Sequence, residues 1–392
     1  MKLLERAHLG YSTNIHRGDN WAETFASLDT HTLAVRKKVC PGDSPFGIGL
    51  RLSHVAAEEL SDPRRIAAFR QWLDQNNCYV FTINGFPYGS FHGTRVKENV
   101  YKPDWQTQER LEYTQQLFRI LVQLLPTGAS GSVSTLPGSF KPFISGDRPV
   151  ERMCANLVAC AQTIEDLSRE HGVDLHLGLE PEPFGYFETT EETIAFFDTL
   201  RNFAPDRTVI ERRIGVNYDT CHMAIQFEDA TESLAALADN EIRISKIHLS
   251  SALAVRPSIE VLRRLQEFVD PVYLHQVVSR RADGQLMRWQ DLDLALDAEA
   301  CLIDPNDEWR IHFHIPLYTK PEKFLGTTSE HLKDTIAYCQ NHPSLCQHFE
   351  FETYTWEVLP EHMRAASVVD QLVNEYDWCL KAFESDCEQV PT

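Results

Sequence analysis

The chain has 392 residues, of which 43% are hydrophobic and 24% are charged, a composition typical of an ordinary folded protein. Its formal net charge of −20 argues against nucleic acid as the main partner, because phosphate binding requires clustered lysine and arginine. No window approaches the roughly 18 apolar residues of a membrane span, and ten scattered cysteines without a CxxC pair predict reduced thiols, so we expect a cytoplasmic protein.

Strand-like apolar runs alternate with amphipathic, helix-like segments along the whole chain. The strand candidates are 9–15, 47–52, 79–85, 131–136, 174–180, 213–219, 244–250 and 348–353. The helical stretches between them include 63–76, 105–125, 150–171, 190–203 and 228–239. Alternation of this kind is typical of βα units, and eight strands predict an α/β protein with a (β/α)8 TIM barrel as a single domain, residues 1–392.

The sequence contains one more strand-like run than the eight that a (β/α)8 barrel requires. This ninth run, 309–318, lies between the seventh and eighth candidates. A hairpin with an Asp283-Gly284 turn precedes it. We therefore expect residues 255–345 to be an insertion before the last strand, with a small sheet of its own near the barrel mouth. The alternative is that 309–315 is a barrel strand and 47–52 is not.

Four of the strand candidates carry a metal-binding side chain near the C-terminal end, namely Glu180, Asp219, His248 and Glu352. In an α/β barrel this is the end at which the active site lies. Burying acids on apolar strands requires compensation, and a divalent cation supplies it for a set of carboxylates and one histidine. Any one acid alone could instead cap a helix or pair with an arginine, but four at successive strand ends favour the metal site.

Other polar side chains are candidates for substrate contacts or further ligands. His222 follows Asp219 by three residues, which places it on the same rim, where it could bind a second metal or a substrate oxygen. His312 and His314 would face one side of a strand, a geometry suited to a metal and equally to a satisfied histidine pair. If that strand belongs to the barrel, His314 is a ligand in addition to His248 or instead of it. Asn14 and His16, at the end of the first strand, are further candidates for substrate contacts.

The series LEP (179–181), NYDTCHM (217–223), IHLSS (247–251) and FETYTW (351–356) resembles the metal-site series of the xylose-isomerase-like barrel superfamily. That group includes sugar-phosphate isomerases, keto-sugar 3-epimerases, inosose dehydratases and endonuclease IV-type nucleases. The resemblance to the epimerase branch implies that Glu180, Asp219, His248 and Glu352 bind a divalent metal (Mn, Mg or Zn), with His222 contacting the substrate. The chain departs from that branch in its large insertion and in lacking an obvious sugar-binding carboxylate on its first two strands.

A narrower resemblance spans most of the chain. The opening LGYSTNIHRGDNWAETFASL (9–28) and the later WRIHFHIPLY and ETYTWEVLP are similar to the EboE group of "metabolite traffic" barrel proteins. This resemblance implies the same fold and a metal. It further implies partner enzymes of one pathway, and a homo-oligomer is an additional expectation.

The function that the superfamily resemblance implies is proton transfer on a small sugar- or cyclitol-like polyol. In such isomerases and epimerases the metal polarises a carbonyl, and two glutamates move a proton through an enediolate. Glu180 and Glu352 are the catalytic candidates here. One alternative is a metal-dependent hydrolase of the phosphatase or endonuclease IV type, with histidines 222, 248, 312 and 314 in a cluster of two or three metals. The other is a non-catalytic protein that binds a metabolite and delivers it.

Overall fold

The computed structural model describes residues 1–3, 7–40, 42–89, 97–299 and 304–384. Within these residues the strands are β1 (Lys2–Leu3), β2 (Ala7–Tyr11), β3 (Phe46–Arg51), β4 (Cys78–Asn84), β5 (Gly131–Thr135), β6 (Leu175–Leu179), β7 (Ile214–Asp219), β8 (Arg243–Leu249), β9 (Leu253–Val255), β10 (Val277–Arg280), β11 (Leu286–Trp289), β12 (Glu308–Ile311), β13 (Gly326–Thr327) and β14 (His348–Phe351).

The α-helices of the described residues are α1 (Trp21–Ser27), α2 (Leu33–Val39), α3 (His54–Leu60), α4 (Pro63–Gln75), α5 (Gln108–Leu124), α6 (Arg148–His171), α7 (Thr190–Phe203), α8 (Arg207–Arg213), α9 (Thr220–Ile225), α10 (Ala230–Asp239), α11 (Ile259–Leu265), α12 (Leu292–Glu299), α13 (Ser329–Asn341) and α14 (Val368–Glu384). The five helical stretches predicted from periodicity correspond to α4, α5, α6, α7 and α10. None of the helices in this part of the chain is long and apolar enough to cross a membrane.

A parallel barrel forms the centre of the molecule. Its strands hydrogen bond in the order β2-β14-β8-β7-β6-β5-β4-β3, and a parallel bridge from Ser12 to Gly49 joins the two ends. The short β1 pairs with β2 in the antiparallel sense. All eight strand candidates are barrel strands, so the predicted (β/α)8 fold is confirmed and the alternative without 47–52 is wrong.

A second, antiparallel sheet lies between β8 and β14 in the sequence, with the order β11-β10-β12-β9-β13. Its hairpin turns at Gly284, whose positive φ of 87° suits the predicted Asp-Gly turn. The sheet spans residues 253–327, whereas α13 packs against α10 and α14 in the outer ring of helices. The predicted segment 255–345 therefore includes one helix of the barrel ring, and the division of the chain into domains stays a prediction.

Strand alternation decides which side chains point into the barrel. Along β8, Ile247 and Leu249 are fully buried in the apolar core between strands and helices. Lys246 and His248 are also fully buried, but they face acids inside the barrel. The barrel interior is therefore unusually polar towards its C-terminal end.

Candidate metal centre

Glu180, Asp219, His248 and Glu352, called the quartet from here on, meet at the C-terminal mouth of the barrel. They come from β6, β7, β8 and β14 or directly follow them, and these four strands are neighbours in the barrel. One potential ligand atom from each residue lies within 4.8 Å of the others. The parallel register thus assembles residues that are far apart in the sequence.

His248 is at the centre of the quartet. Its Nδ1 lies 3.0 Å from Glu180 Oε1, 3.3 Å from Glu352 Oε2 and 3.6 Å from Asp219 Oδ2. All four side chains are at least 94% buried, because none has more than 6% exposure. Three carboxylates therefore surround one imidazole nitrogen in a space shielded from water.

The two oxygens of Asp219 have different roles. Oδ1 accepts hydrogen bonds from the backbone N–H of His222 at 3.0 Å and from Ser250 Oγ at 2.7 Å, so it caps α9. Oδ2 is buried and has no hydrogen-bond partner. The helix-cap interpretation therefore accounts for one oxygen, and the other stays available to a cation.

Glu352 is oriented by two amides. Asn14 Nδ2 donates to Glu352 Oε1 at 2.6 Å, and Asn84 Nδ2 donates to the same oxygen at 3.0 Å. These bonds turn Oε2 towards His248. Asn14, predicted to contact substrate, thus lies in the site and holds one of its acids.

The charges of the quartet shift one another strongly. Burial by itself would lower the pKa of His248, but the carboxylates of Glu352 and Glu180 raise it well above its usual value. Burial opposes ionisation of Asp219, yet the nearby histidines, His222 first, hold its pKa well below the usual range. Against burial, His248 and His314 lower the pKa of Glu352 to about 2. Asp219 and Glu352 are therefore ionised at neutral pH, and the site attracts positive charge.

A charged layer supports His248 from below. Its Nε2 lies 3.1 Å from Glu350 Oε2, and Glu350 forms a fully buried ion pair with Lys246. Burial opposes ionisation of Glu350, but the ammonium of Lys246 keeps its pKa below the usual value. A carboxylate on the far nitrogen fixes the orientation of a metal-binding histidine and increases its basicity.

Gly49 provides the space for this layer. A Cβ at position 49 would lie 1.9 Å from Glu350 Oε1, which no side chain could tolerate without displacing the carboxylate. The glycine is therefore required by the close approach of Glu350, and its φ plays no part in this.

The quartet fits a divalent cation. Three carboxylates and one imidazole suit Mn²⁺, Mg²⁺ or Zn²⁺, which differ mainly in how readily they accept nitrogen. The orphaned Oδ2 of Asp219 and the convergence of the four donors are the observations that support this fit.

Three further histidines, His222, His312 and His314, converge beside the quartet and are called the trio. The Nε2 of His312 lies 3.0 Å from that of His222 and 3.2 Å from that of His314. His312 and His314 follow β12, which ends at Ile311, so they are not part of a strand as predicted. The two imidazoles nevertheless point towards each other.

The opposite nitrogens fix the tautomers of the trio. Each Nδ1 faces an oxygen, at 3.0 Å from Pro181 O for His222, 2.7 Å from Gln276 Oε1 for His312 and 2.7 Å from Glu352 O for His314. Because these oxygens only accept, each Nδ1 carries a proton, and the Nε2 of His312 faces the Nε2 atoms of its two neighbours. Burial, followed by His222 and His314, lowers the pKa of His312 well below its usual value, which keeps that ring neutral.

A cavity opens onto both groups of ligands. Glu180, Glu352, His222 and His312 line it, together with Glu182. Aromatic side chains form much of the rest of its wall, namely Phe86, Tyr101, Tyr273 and Tyr354. A small polar molecule in this cavity would contact both the quartet and the trio.

Some of the residues predicted from the sequence lie at the cavity, and others do not. His248 belongs to the quartet, whereas His314 lies beside it and forms possible ligand groups with Asp219 and His222 and with Cys221 and His312. His16 does not line the cavity; its Nε2 lies 2.9 Å from Tyr11 Oη, and its ring stacks on His31. The expectation of a substrate contact at His16 therefore finds no support.

Sequence reasoning missed several residues of the site. Strand alternation places Glu350 on the same face as Glu352, and it could have placed Lys246 on the face of His248 in the same way, but neither residue was recognised as part of the site. Asn84 ends β4 much as Asp219 ends β7. For Gln276, by contrast, the sequence contains no signal, because its contact with the trio depends on the fold of the second sheet.

Comparisons with known proteins agree with this architecture. The sequence profile of one family, described as a xylose isomerase-like TIM barrel, matches residues 49–284. An L-ribulose 3-epimerase structure is 12% identical, with a TM-score of 0.50 over 97% of this chain and 95% of that chain. A xylose isomerase-like TIM barrel protein from Mycobacterium smegmatis in complex with magnesium is 13% identical, with a TM-score of 0.51 over 97% of each chain.

A D-tagatose 3-epimerase-like protein is 10% identical, with a TM-score of 0.51 over 96% of this chain and 97% of that chain. Identities this low establish the fold and nothing finer. No curated protein is similar enough in sequence to match the chain.

Proposed function

The chain belongs to the xylose isomerase-like TIM barrel family, and from this premise we propose that it is a divalent-metal-dependent isomerase or epimerase of a sugar- or cyclitol-like polyol. The observation that carries the proposal is the quartet, in which three carboxylates and a histidine converge in a buried, cavity-facing site. The epimerase folds among the similar structures agree with this choice of chemistry.

The quartet would hold the cation, and two of its members would also move the proton. A divalent cation in this position would polarise the carbonyl and adjacent hydroxyl of a bound polyol, which acidifies the neighbouring C–H bond. Glu180 and Glu352 both line the cavity, and we assign them the removal and return of that proton through an enediolate. Asp219 and His248 serve as ligands only.

The surrounding residues orient the acids and the substrate. Asn14 and Asn84 hold Glu352 Oε1, so only Oε2 is directed towards the quartet. His222 and His312 line the same cavity and are placed to contact a substrate hydroxyl. The buried setting excludes water from the reacting carbon, which protects the enediolate intermediate.

Deuterium exchange tests the proposal directly. Protein loaded with Mn²⁺ is incubated with a panel of keto-sugars in deuterated water, and incorporation at the carbon next to the carbonyl is followed by NMR. We expect incorporation that Glu180→Gln and Glu352→Gln each abolish. The control Glu191→Gln, on the exposed face of α7, should leave it unchanged. Absence of incorporation with every sugar in the wild type would overturn the proposal.

The trio favours a second candidate, a metal-dependent hydrolase with two cations. A tetrahedral zinc ion with Zn–N bonds of about 2.0–2.1 Å holds its nitrogen ligands roughly 3.3 Å apart. The Nε2 atoms of His312 and its two neighbours are separated by 3.0 and 3.2 Å, close to that value. Asp219 can also join His222 and His314 in a ligand group, so it could bridge the two sites.

Metal content separates the two candidates. One tightly bound Mn²⁺ or Mg²⁺ per chain, with deuterium incorporation, supports proton transfer. Two Zn²⁺ per chain, with cleavage of a phosphate ester such as p-nitrophenyl phosphate, supports hydrolysis. The variant His312→Ala should abolish the second equivalent and the cleavage together while leaving deuterium incorporation measurable.

A further inference from the structure

Glu182 is an acid in the cavity that neither the quartet nor the trio uses. It lies two residues after Glu180, between Pro181 and Pro183, whose rings restrict the backbone on both sides. Its backbone oxygen accepts the N–H of Gly185 at 2.9 Å, which closes the turn. The side chain is 4% exposed and lines the cavity together with Glu180. The loop therefore fixes a second carboxyl group at the cavity wall.

One oxygen of this carboxyl group has no partner. Glu182 Oε1 is buried and makes no hydrogen bond. The hydroxyl of Tyr101 lies beside the carboxyl, but its hydrogen bond to Pro183 O is long, at 3.4 Å. A buried acceptor without a hydrogen-bond donor destabilises the folded protein. A ligand that brings a donor into the cavity would offset that destabilisation.

Among the described residues that line the cavity, the one lysine already has partners. Lys97 forms a buried ion pair with Asp291, and its ammonium also donates to Asp270 O at 2.7 Å. Among the described residues, Glu182 belongs to none of the groups whose geometry could hold a metal ion. A neutral donor is therefore the partner that the site lacks.

We propose that Glu182 accepts a hydrogen bond from a hydroxyl group of the substrate, at a position other than the carbonyl and hydroxyl bound at the quartet. Glu182 is then a specificity-determining residue. The proposal rests on the proposed polyol reaction, because it assumes a substrate with several hydroxyl groups. The expected substrates are then polyols with a hydroxyl group that points to the loop after β6, where Glu182 lies.

The experiment compares a sugar with its analogues that each lack one hydroxyl. Deuterium incorporation is measured for the keto-hexose with the fastest wild-type rate and for its monodeoxy analogues. We expect the wild type to discriminate roughly 3- to 10-fold against one analogue, the range for a hydrogen bond between neutral groups. Glu182→Leu should raise the KM of the parent sugar and erase that discrimination. Glu182→Gln, which keeps an acceptor oxygen, should restore part of it.

Two further measurements keep the outcome unambiguous. Mn²⁺ affinity should be unchanged in Glu182→Leu, and a loss of affinity would overturn the proposal by making Glu182 part of the cation site. Glu188→Leu is the matched control, since Glu188 is a buried acid of the same loop that pairs with Lys141 outside the cavity wall. If Glu182→Leu discriminates like the wild type, the hydroxyl contact is wrong while the polyol reaction stands. If the wild type incorporates no deuterium from any sugar, both proposals fail.

Discussion

The quartet and the trio lie side by side at the barrel mouth but are built in different ways. The quartet lies at the ends of barrel strands, and its histidine is backed by the charged pair Glu350 and Lys246. The trio comes from α9 and from the segment after β12, and carbonyl or amide oxygens back its rings. One site depends on charge, and the other depends on the position of a proton on each ring.

This difference predicts different cation preferences. Three carboxylates around one imidazole suit hard or borderline ions such as Mg²⁺ and Mn²⁺. Three neutral imidazoles have little affinity for Mg²⁺ and suit Zn²⁺. Substitutions can therefore change the cation affinity of one group without changing that of the other. A change of charge should act on the quartet, and a change of tautomer should act on the trio.

The largest effect is expected from Asp219→Asn. Asparagine keeps Oδ1 and with it the cap of α9, but it removes the charge of the quartet oxygen that has no partner. Mn²⁺ affinity should fall by more than 100-fold, beyond the 10- to 100-fold typical of residues that only orient ligands. Isothermal titration with Mn²⁺ and Zn²⁺ measures both sites.

Asp174→Asn, which removes a surface acid paired with Arg213 and Arg243, is the control and should leave both affinities unchanged. Equal losses of Mn²⁺ and Zn²⁺ affinity in Asp219→Asn would show that the quartet and the trio form a single cluster.

A smaller loss is expected from Gly49→Ala, which tests the support beneath the quartet. The new Cβ would lie 1.9 Å from Glu350 Oε1, so the carboxylate behind His248 must move. Mn²⁺ affinity should fall about 10- to 100-fold, and Zn²⁺ affinity at the trio should not change. In the control Gly89→Ala the added methyl group meets no atom of the described residues within 4 Å. An unchanged Mn²⁺ affinity in Gly49→Ala would mean that Glu350 does not orient His248.

The barrel could be predicted from sequence because it repeats one simple unit. Each strand is a short apolar run, and four of the eight carry a metal-binding side chain near the same end. These runs predict the fold and the four residues of the quartet. Parallel pairing then brings Glu180 and Glu352 together although 172 positions separate them. The prediction succeeded where local pattern and barrel geometry carry the same information.

The trio and the layer beneath the quartet were less predictable for physical reasons. His312 and His314 were expected on a strand, but the strand ends at Ile311 and the segment is placed by the second sheet. Gln276 sets the tautomer of His312 although 36 positions separate the two residues in the sequence. No periodic pattern in the sequence predicts this contact. Strand alternation predicts that Glu350 points into the barrel, but its ion pair with Lys246 could be found only from the structure.

Gln276→Leu tests the tautomer argument for the trio. Gln276 Oε1 accepts from His312 Nδ1, and its Nε2 donates to Pro183 O at 3.1 Å, which fixes the direction of the amide. Without this acceptor the proton of His312 can move to Nε2, so Zn²⁺ affinity should fall about 10-fold while Mn²⁺ affinity stays the same. Gln371→Leu, at a buried glutamine of α14 outside the cavity wall, is the control. A loss confined to Mn²⁺ would reverse the assignment of the two sites.

The smallest effect is expected at Glu375 of α14. This residue hydrogen bonds both to the segment that carries Glu352 of the quartet and to the segment that follows His314 of the trio. Its Oε1 accepts from Thr353 Oγ1 at 2.6 Å, next to Glu352, and from the N–H of Leu317 at 3.3 Å, three residues after His314. Burial raises the pKa of Glu375 from its usual 4.5 to about 7. The folded chain thus holds this proton to a higher pH than the unfolded chain, so stability falls as the pH rises through this interval.

Between pH 6 and pH 8 the contribution of this group to the free energy of unfolding should fall by about 1.4 kcal/mol. Glu375→Gln, which cannot ionise, should lose that much less stability over the same interval in urea denaturation. Glu165→Gln is the control, because Glu165 is an acid whose pKa its arginine partners lower rather than raise. If Glu375→Gln follows the wild type at both pH values, Glu375 is already ionised at pH 6. In that case a buried negative charge, rather than a neutral acid, connects the quartet strand to the trio segment.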